Sequence, residues 1–228
     1  MEQDRPTRGF SASRSTTGPL LVTGAALLVV VLVACGGGSA TGTGGGGTME
    51  PGTGPAVETA VSHPRVYDPA RAAPPLPLVD QRGRPFRWSE LHGRTVLVIF
   101  GYTHCPDVCP TTLAIAREVL RARPQEAAVV FVTVDPGRDT PAALGRFLDL
   151  FEVPMMGLSG TPEAVAEVLR AWGVTAVPGA VDSAGNYPVY HSTGTYLVDP
   201  QGRLRFLYPY GTSAGQLVEA VDQLAKGE

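Results

Sequence analysis

Apolar and polar positions alternate along this chain in a way that predicts strands and helices in turn. Val96-Leu97-Val98-Ile99-Phe100 is a continuous apolar run that predicts a buried β-strand, and residues 127–134 predict a second. Between them, residues 110–122 carry apolar side chains at helical spacing, ending before Pro124. Thr140-Pro141 and Thr161-Pro162 each open a further helix, with threonine as N-cap and proline at the first helical position. These helices are predicted to run to about Phe151 and Trp172, with a short strand at residues 155–158 between them. Residues 76–79 and 85–88 predict two short strands around an Asp80-Gln81-Arg82-Gly83 turn, and residues 89–91 a brief helical turn. Residues 176–190 show no periodicity and are rich in Pro, Gly, Ser and Asn. Strands at residues 193–198 and 204–208 follow, joined by a turn at Asp199-Pro200-Gln201-Gly202, and a helix at residues 213–225 closes the chain.

Strands alternating with helices, then a hairpin and a last helix, predict an α/β layered domain. The expected form is a thioredoxin-like fold: a central mixed sheet flanked by helices, with an N-terminal hairpin and an insertion before the histidine-bearing strand. The first 75 residues read differently. Arg5, Arg8 and Arg14 precede an apolar run at residues 20–34, short for a membrane span and suited to a signal-peptide core. The run ends in Leu32-Val33-Ala34-Cys35, which resembles the lipobox of bacterial lipoproteins, where the cysteine is lipidated. An uncleaved membrane anchor is the alternative, and both place the domain outside the cytoplasmic membrane. Residues 36–54 are dominated by Gly, Ser and Thr, and residues 55–75 gain proline without periodicity. As a Gly-rich coil this tether reaches about 35 Å, or it serves as a mere spacer. The expected division is a signal peptide at 1–34, a tether at 35–75 and a folded domain at 76–228.

Composition narrows the chemistry. The net charge of −3 and the lack of a basic patch interleaved with aromatics exclude nucleic acid as a partner. Of three cysteines, Cys35 lies in the lipobox, leaving Cys105 and Cys109 as a pair in a compartment where disulfides persist. The pair sits where the strand at 95–100 hands over to a helix. Backbone donors and the helix dipole favour a thiolate there, so both thiols are expected to be more acidic than free cysteine. In a helical turn, positions i and i+4 share a face, so both sulfurs can point at one centre. A disulfide, two half-buried thiols and a shared metal ion all fit this spacing.

Residues 101–113 resemble the cysteine-motif segment of the Sco/SenC family, thioredoxin-like copper proteins tied to cytochrome oxidase assembly. Residues 132–141 resemble its second signature, and Tyr190-His191-Ser192 with residues 196–202 its third. Tyr208-Pro209-Tyr210-Gly211-Thr212 fits as well, so the likeness runs from about Pro75 to the C-terminus. The resemblance implies copper ligands at Cys105, Cys109 and His191. Two soft thiolates and an imidazole suit Cu(I) or Cu(II), and three ligands leave the ion transferable. The family usually has an acidic residue before this histidine, which could orient the imidazole; here it is Tyr190. Residues 191–196 contain no proline, whereas thioredoxin-type reductases carry a cis-proline at that place.

The implied function is a membrane-tethered, lipid-anchored copper chaperone delivering to the dinuclear copper site of cytochrome c oxidase subunit II, not an enzyme. A thiol–disulfide reductase keeping that subunit's cysteines reduced, with Cys105 and Cys109 as its redox pair, is the rival, and a redox or copper sensor a third reading. Another copper chaperone or a thioredoxin-like reductase completes the expected partners. Asp135 and Asp139 lie near the sheet's C-terminal edge, as candidates to support the ligands from behind. Asp139 is read instead as supporting the Thr140 helix start, His104 as pointing away from the metal, and Trp88, Trp172 and Phe100 as core.

Overall fold

The structure is a computed structural model that describes residues 63–227. The apolar run at 20–34, Cys35 and the Gly-rich stretch lie outside the described residues. No helix among the described residues is long and apolar enough to cross a membrane.

Two strands make the centre. β3 (Thr95–Gly101) and β4 (Ala127–Thr133) are buried at every position and pair in parallel, joined by α1 (Val108–Ala122). Continuous burial explains why both read as apolar runs: each faces a packed layer on both sides. Val96, Val98 and Phe100 enter one core with Trp172 and Tyr196. Leu97 and Ile99 enter the other with Leu113, Leu144 and Leu217. The period of two in a strand delivers alternate side chains to the two faces.

α2 (Pro141–Asp149) and α3 (Pro162–Trp172) open as predicted, Thr140 accepting from the Ala143 amide and Thr161 from Ala164. β5 (Met156–Ser159) lies between them and pairs in parallel with β4. β8 (Thr195–Val198) pairs antiparallel with β3, and β9 (Arg203–Tyr208) with β8. α4 (Ala214–Ala225) starts with a full capping box between Ser213 and Gln216. The Trp172 ring stands 5.6 Å from Phe100 and 5.2 Å from Tyr196, with Trp88 at its half-buried margin.

Three local expectations are corrected. The predicted tether includes β1 (Arg65–Ala72), which pairs antiparallel with β9 at the sheet edge. Its side chains are mostly exposed and its register breaks between Val66 and Arg71, so it shows no apolar alternation; Pro69 is tolerated because the strand is an edge. The predicted N-terminal hairpin is reduced to β2 (Val79–Asp80), which pairs with β5, and a single bridge from Val79 to Pro85. The turn between them forms as expected, Asp80 accepting from the Arg82 and Arg84 amides. Finally, the irregular insertion contains β6 (Ala176–Pro178) and β7 (Val189–His191), which form a separate two-stranded sheet. The other seven strands make one sheet in the order β1-β9-β8-β3-β4-β5-β2.

Candidate metal centre

β3 ends at Gly101, and the chain then turns through residues 102–107 into α1, whose second residue is Cys109. Gly101 is required there by space: a Cβ would stand 2.7 Å from both Cys109 Sγ and a Phe131 ring carbon. Cys105 lies in the loop and not on the helix. The sulfurs therefore approach by a different route from the expected i, i+4 face: the Cys109 amide donates to Cys105 Sγ at 3.4 Å, capping the start of α1. Both cysteines are free thiols.

His191, at the end of β7, meets this loop from across the insertion. Its Nε2 lies 3.8 Å from Cys109 Sγ, and its ring packs edge-on to Tyr102 at 5.9 Å. Its Nδ1 is 2.9 Å from the Ser192 carbonyl, which can only accept, so the proton sits on Nδ1 and the Nε2 lone pair faces the sulfur. Orientation that an acidic neighbour would supply thus comes from the backbone, while Tyr190 points outward at 67% exposure. Among the described residues, no three His, Cys, Asp or Glu side chains are already gathered so as to hold a metal ion. Cys109 and His191 stand together, and the Cys105 sulfur is turned to the Cys109 amide.

The expected acidity of both thiols does not hold for Cys109. It is 2% exposed, and burial pushes its pKa well above the ordinary thiol value. The Tyr102 backbone hydrogen bond opposes this, but Cys105 and the Asp139 carboxylate add to the rise. Desolvation outweighs the helix terminus because the sulfur is inside the core and not at its mouth. Cys105, half-buried, is the accessible partner. With the reduced chain at neutral pH, iodoacetamide should therefore label Cys105 first and leave Cys109 intact until denaturant is added. Equal labelling by peptide mass would contradict the burial of Cys109.

The two aspartates hold neighbours, not ligands. Asp139 is fully buried, and its carboxylate accepts from the Thr103 amide at 3.0 Å, the Thr103 hydroxyl at 2.6 Å and the Thr133 hydroxyl at 2.7 Å. Its side chain secures the cysteine loop and does not cap α2, since Thr140 does that itself. Asp135 pairs with Arg138 and accepts from the Tyr187 hydroxyl at 2.9 Å. His104 bonds Thr103 Oγ1 at 3.0 Å and lies 3.8 Å from Asp139. Tyr102, Arg138 and Tyr187 were not singled out by the sequence reading. Arg138 lay inside the second signature; Tyr187, in the aperiodic stretch, gave no signal.

Known proteins resemble this chain. A family profile described as SCO1/SenC matches residues 65–226, which includes β1. The chain is 38% identical over 149 residues to the mitochondrial SCO2 homolog of Bos taurus, covering 63% of this chain and 56% of that protein. It is 38% identical over 151 residues to protein SenC of Rhodobacter capsulatus, covering 64% and 66%. The chain thus spans little more than half the length of the mitochondrial relative. Among solved structures, Bradyrhizobium japonicum ScoI with copper bound superposes with a TM-score of 0.61 at 35% identity, over 68% of this chain and 99% of that one. The thioredoxin-like layering is shared with that structure. With a profile matched across the whole folded domain, this chain belongs to the SCO1/SenC family.

Proposed function

We propose that this domain is a copper chaperone: Cys105, Cys109 and His191 take one copper ion and pass it by ligand exchange to the dinuclear copper site of cytochrome c oxidase subunit II. One observation carries the reading: His191 Nε2 faces Cys109 Sγ at 3.8 Å, with Nδ1 turned to the Ser192 carbonyl. Metal bonds of about 2.3 Å to sulfur and about 2.05 Å to nitrogen together exceed that distance, so one ion could bridge the two atoms. Copper can therefore replace the Cys109 proton with little movement of the pair, while Cys105 turns from the Cys109 amide to complete the set. Family membership and the copper held by the Bradyrhizobium relative support the same choice of ion. Thiolate and imidazole ligands accommodate Cu(I) and Cu(II), and a three-ligand site leaves room for an incoming donor. Lipidation at Cys35 would keep the domain on the outer side of the cell membrane, beside a membrane-bound acceptor.

A second reading is favoured by one observation, the unequal exposure of the two thiols. In a thiol–disulfide reductase the accessible Cys105 would attack and the buried Cys109 would resolve the mixed disulfide. Anaerobic titration of the reduced chain with copper, beside His191→Ala, separates the two. The chaperone reading expects one copper per chain with two sulfurs and one nitrogen by X-ray absorption, and a variant that loses the nitrogen and weakens most toward Cu(II). Binding indifferent to His191, or no tight binding, would overturn it and favour thiol exchange.

A further inference from the structure

The cysteines and the histidine come from separate parts of the fold, 82 residues apart between Cys109 and His191. The cysteine loop extends β3 of the main sheet, whereas His191 ends β7 of the small separate sheet. The base of this histidine arm is fixed at the end of α3, where the Ser192 amide donates to the Thr175 carbonyl at 2.9 Å and the Thr175 amide to Ser192 Oγ at 3.0 Å. The main sheet brings the arm near the cysteines, since Thr195, four residues after His191, pairs with Ile99 of β3, but β7 itself lies outside that ladder. Side chains set the final approach.

They converge on the turn between β4 and α2. Tyr187, four residues before His191, donates its hydroxyl to Asp135 at 2.9 Å. The Arg138 guanidinium lies 3.6 Å over the Tyr187 ring, a close cation–π stack, and 5.7 Å from the Tyr102 ring. Arg138 is in turn held by Asp135, so one turn grips the arm by charge, stacking and a hydrogen bond. The same turn grips the cysteine loop, through Asp139 and Thr103. Its two carboxylate residues are coupled, because the Asp139 amide donates to the Asp135 carbonyl at 2.9 Å and the Thr133 hydroxyl connects to both. Tyr102 closes the ring: its hydroxyl accepts from the Val189 amide at 3.2 Å while its ring faces His191.

We infer that the β4–α2 turn is the strut that sets His191 against the cysteines, with Arg138 and Tyr187 as positioning residues for the imidazole. This rests on the copper reading of the site. Its consequence is a division of labour: Asp139 governs the sulfur half of the site, whereas Asp135, Arg138 and Tyr187 govern the nitrogen half. Loosening the arm should therefore cost the ligand that matters most to Cu(II) and spare the two thiolates that suffice for Cu(I).

The test compares Tyr187→Ala and Tyr187→Phe with wild type and His191→Ala, all as reduced full chains titrated anaerobically with Cu(I) and separately with Cu(II). Tyr187→Ala is expected to weaken Cu(II) by about tenfold or more, the range for lost outer support of a metal ligand, and to reduce the nitrogen splitting in the electron paramagnetic resonance spectrum toward that of His191→Ala. Cu(I) affinity should change far less. Tyr187→Phe keeps the ring under Arg138 but loses the hydroxyl bond, so a smaller Cu(II) loss is expected. In the metal-free chain, the imidazole proton resonances of His191 should shift or broaden in Tyr187→Ala, a readout independent of copper. If wild type binds copper through two sulfurs and a nitrogen while both variants match it in Cu(II) affinity and nitrogen signal, the strut is refuted. Should Tyr187→Ala fail to fold, an unchanged Tyr187→Phe refutes it equally. A wild type that binds no copper through these residues would overturn the chaperone reading at the first titration, and the strut with it.

Discussion

Cys109→Ser is expected to abolish copper retention by the reduced chain while leaving its secondary structure intact. Cys109 is the sulfur that faces His191, and it is 2% exposed, so no solvent ligand can take its place without opening the core. Serine offers a hard oxygen whose proton is far more tightly held than a thiol's, a poor donor to copper. Cys105 and His191 remain, but their common neighbour is gone. Competition with a chromophoric Cu(I) chelator should show no copper left on the variant and one per chain on wild type. Copper retained in equal amount would place the site elsewhere.

The protonation of Cys109 adds a pH dependence to the same experiment. Its pKa is raised in the fold above its ordinary value of 9.0, chiefly by burial. The neutral thiol is therefore the form the folded chain favours. Its stabilising contribution to the metal-free protein is fully present below pH 9 and is lost progressively as pH rises beyond it. Copper must displace that proton, so affinity rises with pH through the neutral range. Cys109→Ser should flatten the alkaline fall in apo stability.

Asp139→Ala should be the most destabilising polar substitution at the site, by about 3–5 kcal/mol, because it removes the carboxyl acceptor shared by three donors and leaves them buried. The Thr133 hydroxyl has no route to water, since Thr133 is fully buried, and the Thr103 amide loses the partner that fixes the loop two residues before Cys105. For a domain of this size that loss lowers Tm by roughly 10 °C or more. Differential scanning calorimetry of the metal-free chain measures it directly. A loss below about 1 kcal/mol would mean that the carboxylate is dispensable and that backbone bonds alone hold the cysteine loop.

Legibility followed burial. β3, β4 and the helices α2, α3 and α4 were readable because their apolar positions, cap residues and prolines lie in contiguous sequence and act locally. β1 was hidden because an exposed edge strand has no face to advertise. β6 and β7 were hidden because their pairing joins residues 176–178 to 189–191 through a segment of turn-forming composition. At the site, Cys105, Cys109 and His191 were legible through motif resemblance, but their chemistry was only half so. The helix-start argument predicted an acidic Cys109, and it failed because a sequence shows where a helix begins and not how deeply its first turn is buried.

The sequence by itself determined the layered α/β order and the strand-to-helix position of the cysteines, which depend on residue type and short-range spacing. Its resemblance to the Sco/SenC family, and not spacing, implied the three candidate ligands. The tertiary structure alone decided that Nε2 of His191 faces Cys109, that a backbone carbonyl and not an acidic neighbour sets its tautomer, and that the β4–α2 turn joins the two halves of the site. Those outcomes rest on contacts between segments tens of residues apart, whose distances follow from the packing of the whole sheet and not from any stretch of chain.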